Sequence, residues 1–317
     1  MSSPVFMFPG QTSRYPELIE KLTTYDTHCA DILEKASDIL SRDLARHYSA
    51  ANPAIFGRNR DVQLGVFLAN HMHLTLLERT GIRSDWSLGL SLGEYNHLVH
   101  ISALTFEDAL VLLEQRGQLY EAGPAGVMIS VFPVDAGAVE EKIKERGLGG
   151  RVVIGLYNSP RQQVLSGESA AVDELVAALE DDTLIQAVET EPHIPMHAPT
   201  FAPVAEKFRS VLDNTTFVTP ALPYIPNVAG EPIVGATPDQ IRTHLTDHVC
   251  KAVRWQASIE SLAGRLSDPH FIEVGPRSIL YNLFGRDWMP GQRSRTDVQD
   301  NWPDHIQGLI ANLRHGA

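Results

Sequence analysis

The chain has 317 residues, of which 43% are hydrophobic and 21% are charged, a balance typical of a soluble globular protein with a sizeable core. Its 39 acidic residues outnumber the 26 basic ones, and the resulting formal net charge of -13 argues against a nucleic-acid partner. The apolar stretch 127–134 is far shorter than the roughly 20 residues of a membrane-spanning helix, and the N-terminus lacks the pattern of a signal or transit peptide. We therefore expect no membrane partner and a cytoplasmic location. Cys29 and Cys250 show no spacing typical of a metal or redox site, and no metal is expected.

The first part of the chain has the periodicities of an α/β unit. The predicted elements are a strand over 5–8, two or three amphipathic helices within 15–40 and 62–78, a strand over 86–88, and helices over 95–100 and 109–120. Between the second strand and its helix lies the segment Gly89-Leu90-Ser91-Leu92-Gly93, which has no room for a long loop. The order predicted there is strand, tight turn, helix.

The pattern of predicted strands and helices changes after Gly123-Pro124-Ala125-Gly126. The predicted elements are a strand over 127–132, a helix over 137–146, strands over 152–156 and 163–166, a helix over 171–179 and a strand over 183–188. This βαββαβ order is ferredoxin-like. We predict a small subdomain over 125–191, inserted into a larger α/β catalytic subdomain that is formed by 1–124 and 192–317.

The rest of the chain again has the mixed strand and helix pattern of the first part. The predicted elements are a helix over 203–212, a strand over 224–228, a helix ending near 249, a helix after Trp255, a strand over 271–274 and a last helix over 306–313.

The GxSxG segment is the first candidate for chemistry. Its glycines permit the sharp turn between strand and helix that exposes the hydroxyl of Ser91, although a glycine-lined turn with an ordinary serine has the same pattern. A serine nucleophile needs a general base and donors that stabilise an oxyanion. The amide of Leu92, at the start of a helix, is one candidate donor, and the loop Pro9-Gly10-Gln11 is the other. Composition cannot choose a base among the 13 histidines.

Seven short motifs occur together in order over most of the chain, and with them the sequence resembles the malonyl-CoA:acyl carrier protein transacylase family. The motifs are Phe8-Pro9-Gly10-Gln11, Gly89-Leu90-Ser91-Leu92-Gly93-Glu94, Arg116-Gly117, Asn158-Ser159-Pro160, Pro195-Met196-His197, Val253-Arg254-Trp255 and Glu273-Val274-Gly275-Pro276. The resemblance implies an α/β fold with an α/β-hydrolase-like large subdomain and an inserted ferredoxin-like small subdomain.

The resemblance also implies catalytic roles. Ser91 matches the nucleophile that forms an acyl-enzyme ester, and His197 matches its general base. The second ring nitrogen of that base is held by a backbone carbonyl, which falls near His248. Gln11 and Leu92 match the backbone amides of the oxyanion hole.

For substrate binding, Arg116 matches the guanidinium that pairs with the free carboxylate of a malonyl-type acyl group. Without the family, it reads as a surface arginine on an amphipathic helix. Asn158 binds substrate or makes the turn that Asn-Ser-Pro favours. His193 is an alternative base to His197, although the register favours His197. Glu94 complements the dipole of the helix that it begins.

The chain departs from its family near the site. Leu90 stands where the family usually has histidine, and Met196 stands where malonyl-selective members commonly have Ser or Phe. Thr12 and Ala252 replace a usual glycine and proline. None of these changes removes a catalytic residue. Because Leu90 and Met196 are apolar, however, the acyl group could also be an alkylmalonyl, aminoacyl or other acyl unit.

The function implied is a ping-pong transfer from an acyl-CoA or acyl-carrier donor to the phosphopantetheine thiol of an acyl carrier protein, with no tightly bound cofactor. Because the carrier is typically acidic in this family, a basic docking face is expected. The candidates are Arg58, Arg60, Arg277, Arg286, Arg293 and Arg295. The competing hypotheses are an editing hydrolase that strips acyl groups from carriers, a silent carrier-binding scaffold and a lone esterase.

Overall fold

The computed structural model describes residues 3–52, 54–182, 184–285, 288–289, 291–298 and 300–315. Its strands are β1 Ser3–Phe8, β2 Trp86–Gly89, β3 Val127–Phe132, β4 Val152–Ser159, β5 Gln162–Gly167, β6 Gln186–Glu191, β7 Pro269–Glu273 and β8 Arg293–Arg295. Its α-helices are α1 Glu20–Tyr25, α2 Thr27–Leu40, α3 Leu44–His47, α4 Asn59–Arg79, α5 Gly93–His100, α6 Phe106–Glu121, α7 Ala136–Glu145, α8 Ser169–Asp182, α9 Ala202–Asp213, α10 Pro238–Cys250, α11 Trp255–Arg265, α12 Ile279–Leu283 and α13 Trp302–His315.

The first sheet is parallel, in the order β2-β1-β7-β8, with β1 among its inner strands. The last four residues of β1, the run VFMF, are completely buried, as expected for an inner strand of a sheet that is covered on both faces. Because parallel strands end at the same edge, the loops after Phe8, Gly89 and Glu273 lie next to one another. This edge is where the candidate site forms.

The second sheet is antiparallel, in the order β4-β5-β3-β6, which is the strand order of a ferredoxin-like βαββαβ unit. It has a hydrophobic core of its own, in which Val131, Leu165 and Leu175 are completely buried. One edge is joined to the rest of the chain, since the amide of Val253 donates to the carbonyl of Gly155 at 2.8 Å. The predicted fold class, a large α/β part with a ferredoxin-like part, is confirmed.

The structure corrects several predicted elements. The helical region predicted over 15–40 contains two helices, α1 and α2, because Asp26 has extended backbone and its carboxylate caps α2 by accepting from the amide of His28. The strand predicted over 224–228 is wrong: Tyr224 makes only an isolated bridge with Ile233, and Pro226 has no amide hydrogen to extend it.

Two further differences concern short strands. The strand predicted over 183–188 begins at Gln186, and Thr183 lies outside the described residues. The three residues of β8 carry no recognisable pattern and were not predicted. No helix in the described part of the chain combines the length and apolar character that membrane crossing requires.

Candidate active site

Ser91 lies in the tight turn between β2 and α5 that the sequence predicts. Its φ of 50° is in the left-handed region, which a residue with a side chain rarely adopts. The backbone packs so closely at the two glycines of the motif that neither position has room for a side chain. A Cβ on Gly89 would lie 2.0 Å from the backbone of Gly93, and a Cβ on Gly93 would lie 2.1 Å from the carbonyl oxygen of Phe8. The turn is therefore pressed against β1, and the strained conformation falls on the serine itself.

Asn227 fixes this turn from a distant part of the chain. Its side-chain amide donates to the carbonyl of Gly89 at 2.7 Å, and its side-chain oxygen accepts from the amide of Ser91 at 2.8 Å. The residue is 3% exposed, so both bonds are shielded from water. Sequence reasoning missed this role because Asn227 lies 136 positions from Ser91 and was assigned to a strand.

His197 contacts the hydroxyl of Ser91 directly. Its Nε2 lies 2.8 Å from Oγ of Ser91, and its Nδ1 lies 2.7 Å from the carbonyl oxygen of His248. Because a carbonyl oxygen can only accept, Nδ1 carries the ring hydrogen and Nε2 is left to accept the serine proton. Burial lowers the pKa of His197 to about 3, so the ring is neutral at physiological pH. His193, the alternative base, is exposed, and its backbone amide donates to Glu191.

A second imidazole and a buried carboxyl lie behind His197. The ring of His248 stacks on that of His197 with centroids 4.8 Å apart. Nδ1 of His248 is 3.1 Å from Oε2 of Glu94, whose Oε1 accepts from the hydroxyl of Tyr224 at 2.5 Å. Burial raises the pKa of Glu94 to about 8. Glu94 is thus completely buried among polar partners, an environment that the helix-dipole interpretation did not predict.

Of the two predicted oxyanion donors, Leu92 follows Ser91 in the turn, and Gln11 belongs to the loop after β1. Among the hydrogen bonds of the described residues, the amides of Gln11 and Leu92 have no acceptor. A Cβ on Gly10 would lie 2.9 Å from the carbonyl oxygen of Leu90 and 3.7 Å from Cβ of Ser91, so this loop touches the serine turn. Two free amides beside the serine hydroxyl suit a developing negative charge.

Arg116 is buried, with an exposed fraction of 1%, so the interpretation as a surface arginine is wrong. Its Nη1 donates to Oε1 of Gln63 at 2.6 Å, and its guanidinium lies 4.2 Å from the ring centroid of Tyr120 and 5.2 Å from that of Tyr95. Nε and Nη2 have no hydrogen-bond partner, and no carboxylate of the described residues comes within 4.0 Å. A buried guanidinium with two free donors is costly unless an anion binds it.

A cavity of about 580 Å³ opens onto Ser91 and His197. Among the predicted substrate-binding residues, Leu90, Met196 and Asn158 line it, whereas Arg116 does not belong to its wall. Leu90 and Met196 are each 4% exposed, and the antiparallel sheet adds further apolar residues to the wall. The wall residues from that sheet with apolar side chains are Met128, Phe132, Leu156, Val164 and Val188.

Two of the arginines proposed for carrier docking are paired with acids. Nη2 of Arg58 is 2.8 Å from a carboxylate oxygen of Glu121, and Nη1 of Arg60 is 3.1 Å from one of Glu114. Both cations are therefore partly neutralised within the chain.

Of the other docking candidates, Arg293 and Arg295 lie in β8, and Arg277 follows β7. Arg293 and Arg295 lie 4.4 and 4.5 Å from the ring centroid of Tyr281, and Arg277 lines the cavity. Arg286 lies outside the described residues. Within the described part of the chain, no group of three or more His, Cys, Asp or Glu residues is arranged to hold a metal ion.

Comparisons with known proteins identify the family of the chain. The family model described as the acyl transferase domain matches residues 5–289. The chain is 29% identical over 289 residues to the malonyl CoA-acyl carrier protein transacylase of Bacillus subtilis, an alignment that covers 89% of this chain and 90% of that protein.

Solved structures show the same fold. The crystal structure of FabD from Acinetobacter baumannii superposes with a TM-score of 0.90 at 25% identity, covering 100% of this chain and 99% of that one. A malonyl-transacylase solved in complex with a type II polyketide synthase acyl-carrier protein superposes with a TM-score of 0.88 at 26% identity, covering 98% of this chain and 100% of that one.

Proposed function

The chain belongs to the acyl transferase domain family, and from this membership we propose that it moves a malonyl-type acyl group to an acyl carrier protein through a Ser91 ester. The observation that carries the proposal is the hydrogen bond of 2.8 Å between Oγ of Ser91 and Nε2 of His197 at the wall of the cavity. The names of the relatives support the substrates, because they include a malonyl CoA-acyl carrier protein transacylase.

In the first half-reaction, His197 takes the proton of the Ser91 hydroxyl while Oγ attacks the thioester carbonyl. The carbonyl oxygen becomes an oxyanion that accepts from the amides of Gln11 and Leu92. When the tetrahedral intermediate collapses, the carbon–sulfur bond breaks, and the leaving thiolate takes the proton back from His197. Ser91 then carries the acyl group as an ester.

The second half-reaction is the first one reversed on a different thiol. The phosphopantetheine thiol of the carrier gives its proton to His197 and attacks the ester, and Oγ of Ser91 leaves and recovers that proton. Because the same base acts in both directions, a neutral imidazole is needed at the start of each half-reaction. The lowered pKa of buried His197 supplies this state.

The carbonyl of His248 takes the place of an acidic triad member. It accepts from Nδ1 of His197 at 2.7 Å, and this bond holds the ring in the tautomer that leaves Nε2 free. The amide of His197 also donates to the carbonyl of Val249, so one side-chain and one backbone hydrogen bond link the base to carbonyls at the end of α10.

Arg116 selects the acyl group by its carboxylate. The guanidinium is close enough to the site that, after burial, its positive charge is among the causes that lower the pKa of His197. Its free Nε and Nη2 form a two-donor edge, which fits a carboxylate in a bidentate geometry that lysine cannot reproduce. A malonyl-type group would provide the missing anion.

A branched acyl group is a second candidate substrate, and the wall beside the nucleophile favours it. Leu90 and Met196 offer an apolar surface to the group held on Ser91, and Met196 can change its conformation to fit a substituent. An alkylmalonyl unit combines the carboxylate that Arg116 requires with an alkyl branch for this surface.

The test is intact-protein mass spectrometry after incubation with a panel of acyl thioesters. We expect a malonyl or alkylmalonyl adduct on the parent protein and on Ser210→Ala, a control at an exposed helical serine, but none on Ser91→Ala. Addition of a holo carrier protein should move the adduct to the carrier thiol. An adduct that persists in Ser91→Ala would refute the nucleophile, and release of free acid in place of carrier acylation would support the editing hydrolase.

A further inference from the structure

Two arginines line the active-site cavity from neighbouring loops. Arg14 follows β1, and Arg277 follows β7, the adjacent strand of the parallel sheet. Arg277 is exposed and Arg14 is partly exposed, whereas Ser91 is 8% exposed. Both arginines are therefore more accessible to solvent than Ser91, and all three residues line the same cavity.

The backbone of Arg277 is in a conformation that favours glycine. Its φ is 63°, and the buried carboxylate of Asp297 holds it there by accepting from its amide at 2.7 Å. The same carboxylate oxygen accepts from the hydroxyl of Tyr15 at 2.9 Å, and Lys21 pairs with the other oxygen. A long cationic side chain kept at a strained position, with its own buried anchor, indicates a use for the side chain.

Both cations are available to a ligand. In the part of the chain that the structure describes, no carboxylate oxygen lies within 4.0 Å of the guanidinium nitrogens of Arg14 or Arg277. Among the hydrogen bonds of the described residues, the guanidinium of Arg14 donates to the backbone carbonyl of Gln11 alone, at 3.2 Å. Of the acids on the cavity wall, Glu191 already accepts from the side-chain amide of Gln11 at 3.1 Å and from the backbone amide of His193 at 3.3 Å.

We propose that Arg14 and Arg277 bind the phosphate group at the far end of the pantetheine arm, the group that coenzyme A and a holo carrier protein share. The inference rests on the proposed function and adds a phosphate subsite to it. The pantetheine arm carries no charge between the thioester and this phosphate. The phosphate is therefore the charged group nearest to the thioester on this arm that a cation can recognise. A chain with a net charge of -13 repels anions in general, and a local pair of arginines overcomes that repulsion at one place.

The experiment compares malonyl-CoA with malonyl-N-acetylcysteamine, a thioester that lacks the phosphate. In Arg277→Gly we expect KM for malonyl-CoA to rise about 10-fold or more, the range that the loss of a charge-assisted bond gives, while KM for the phosphate-free thioester stays unchanged. Glycine suits a φ of 63°, so the variant should keep the thermal unfolding midpoint of the parent. Arg14→Gln should show the same selective rise, and Arg146→Gln, an exposed arginine at the end of α7, should show none.

Each result has a defined meaning. A KM that stays unchanged in both variants for malonyl-CoA and for the holo carrier overturns the phosphate site. An equal rise for both thioesters also overturns it, because the effect would then concern the catalytic geometry. KM for the holo carrier in the second half-reaction should rise as well; a rise for only one of coenzyme A and carrier supports the site and assigns its ligand to that molecule. If neither thioester acylates Ser91 in the parent protein, the proposed function itself fails.

Discussion

All 13 histidines of the chain lie outside residues 125–191, although that stretch supplies much of the cavity wall. The part built on the parallel sheet holds the candidate reacting groups, Ser91 and His197, and fixes them through buried hydrogen bonds such as those of Asn227. The antiparallel sheet contributes five apolar residues to the wall, among them Met128 and Val164, beside six polar ones.

This difference between the two sheets indicates how well each part of the site tolerates substitution. A hydrogen-bonded group must keep its position to a few tenths of an ångström, whereas an apolar wall can be repacked with side chains of another size at modest cost. We therefore expect substitutions in the parallel-sheet part to abolish chemistry and substitutions in the antiparallel wall to change the choice of acyl group.

The largest effect should come from His197→Gln. Loss of the general base should lower the rate of Ser91 acylation by about 10³-fold, measured by rapid quench and mass spectrometry. The matched control is His193→Gln, at the exposed neighbouring histidine that was the alternative base. A loss in the control that equals the loss in His197→Gln would contradict the assignment.

Arg116→Gln should have the next largest effect, and only on some substrates. Removal of the buried cation should lower kcat/KM for malonyl-CoA by about 100-fold and leave acetyl-CoA unaffected, because only malonyl offers a carboxylate. Arg116→Lys keeps the charge without the two-donor edge and should restore little. Equal losses for both thioesters would mean that Arg116 supports the fold through Gln63 and does not select the substrate.

Val164→Ala tests the wall from the side of the antiparallel sheet. Removing two methyl groups from a residue that lines the cavity should shift the kcat/KM ratio of branched to unbranched malonyl thioesters by about 10-fold toward the branched ones. Val153→Ala, on the neighbouring strand and away from the cavity wall, is the control. A loss of rate for every thioester, with no change in the kcat/KM ratio of branched to unbranched substrates, would contradict the idea that the antiparallel sheet selects the acyl group.

The smallest expected effect is on stability as the pH falls. Five histidines that are buried or partly buried have pKa values lowered by burial from 6.5 to about 3 or 4: His71, His73, His97, His100 and His197. Between those values and pH 6.5 the unfolded chain binds more protons than the folded one, so stability is lost as the pH falls. Glu94 and Glu273 act in the opposite direction, because burial raises their pKa to about 8, but the histidines outnumber them.

We expect the thermal unfolding midpoint to fall from pH 6.5 to pH 5. Amide hydrogen exchange on the full chain should lose protection first in the parallel-sheet part, since residues 125–191 contain no histidine. A midpoint that rises over this range, or a loss of protection that begins in the antiparallel sheet, would contradict the prediction.

Much of the fold could be predicted because its signals are local. The run VFMF of β1 and the periodicity of α4 decide their own structure, and Thr105 marks the start of α6 through a side chain that caps it. The strand predicted over 224–228 failed because its apolar residues are buried by other elements without a sheet partner beyond one bridge. Burial alone does not distinguish a strand from an irregular buried segment.

The candidate site divides in the same way. The sequence by itself determined the strand, turn and helix around Ser91, because the spacing of Gly89 and Gly93 and their flanking elements lie within one short segment. Only the tertiary structure decided which groups meet there: Asn227 and His197 reach Ser91 from 136 and 106 positions away. Hydrogen bonds between such distant residues depend on how whole elements pack, and no local periodicity records that packing.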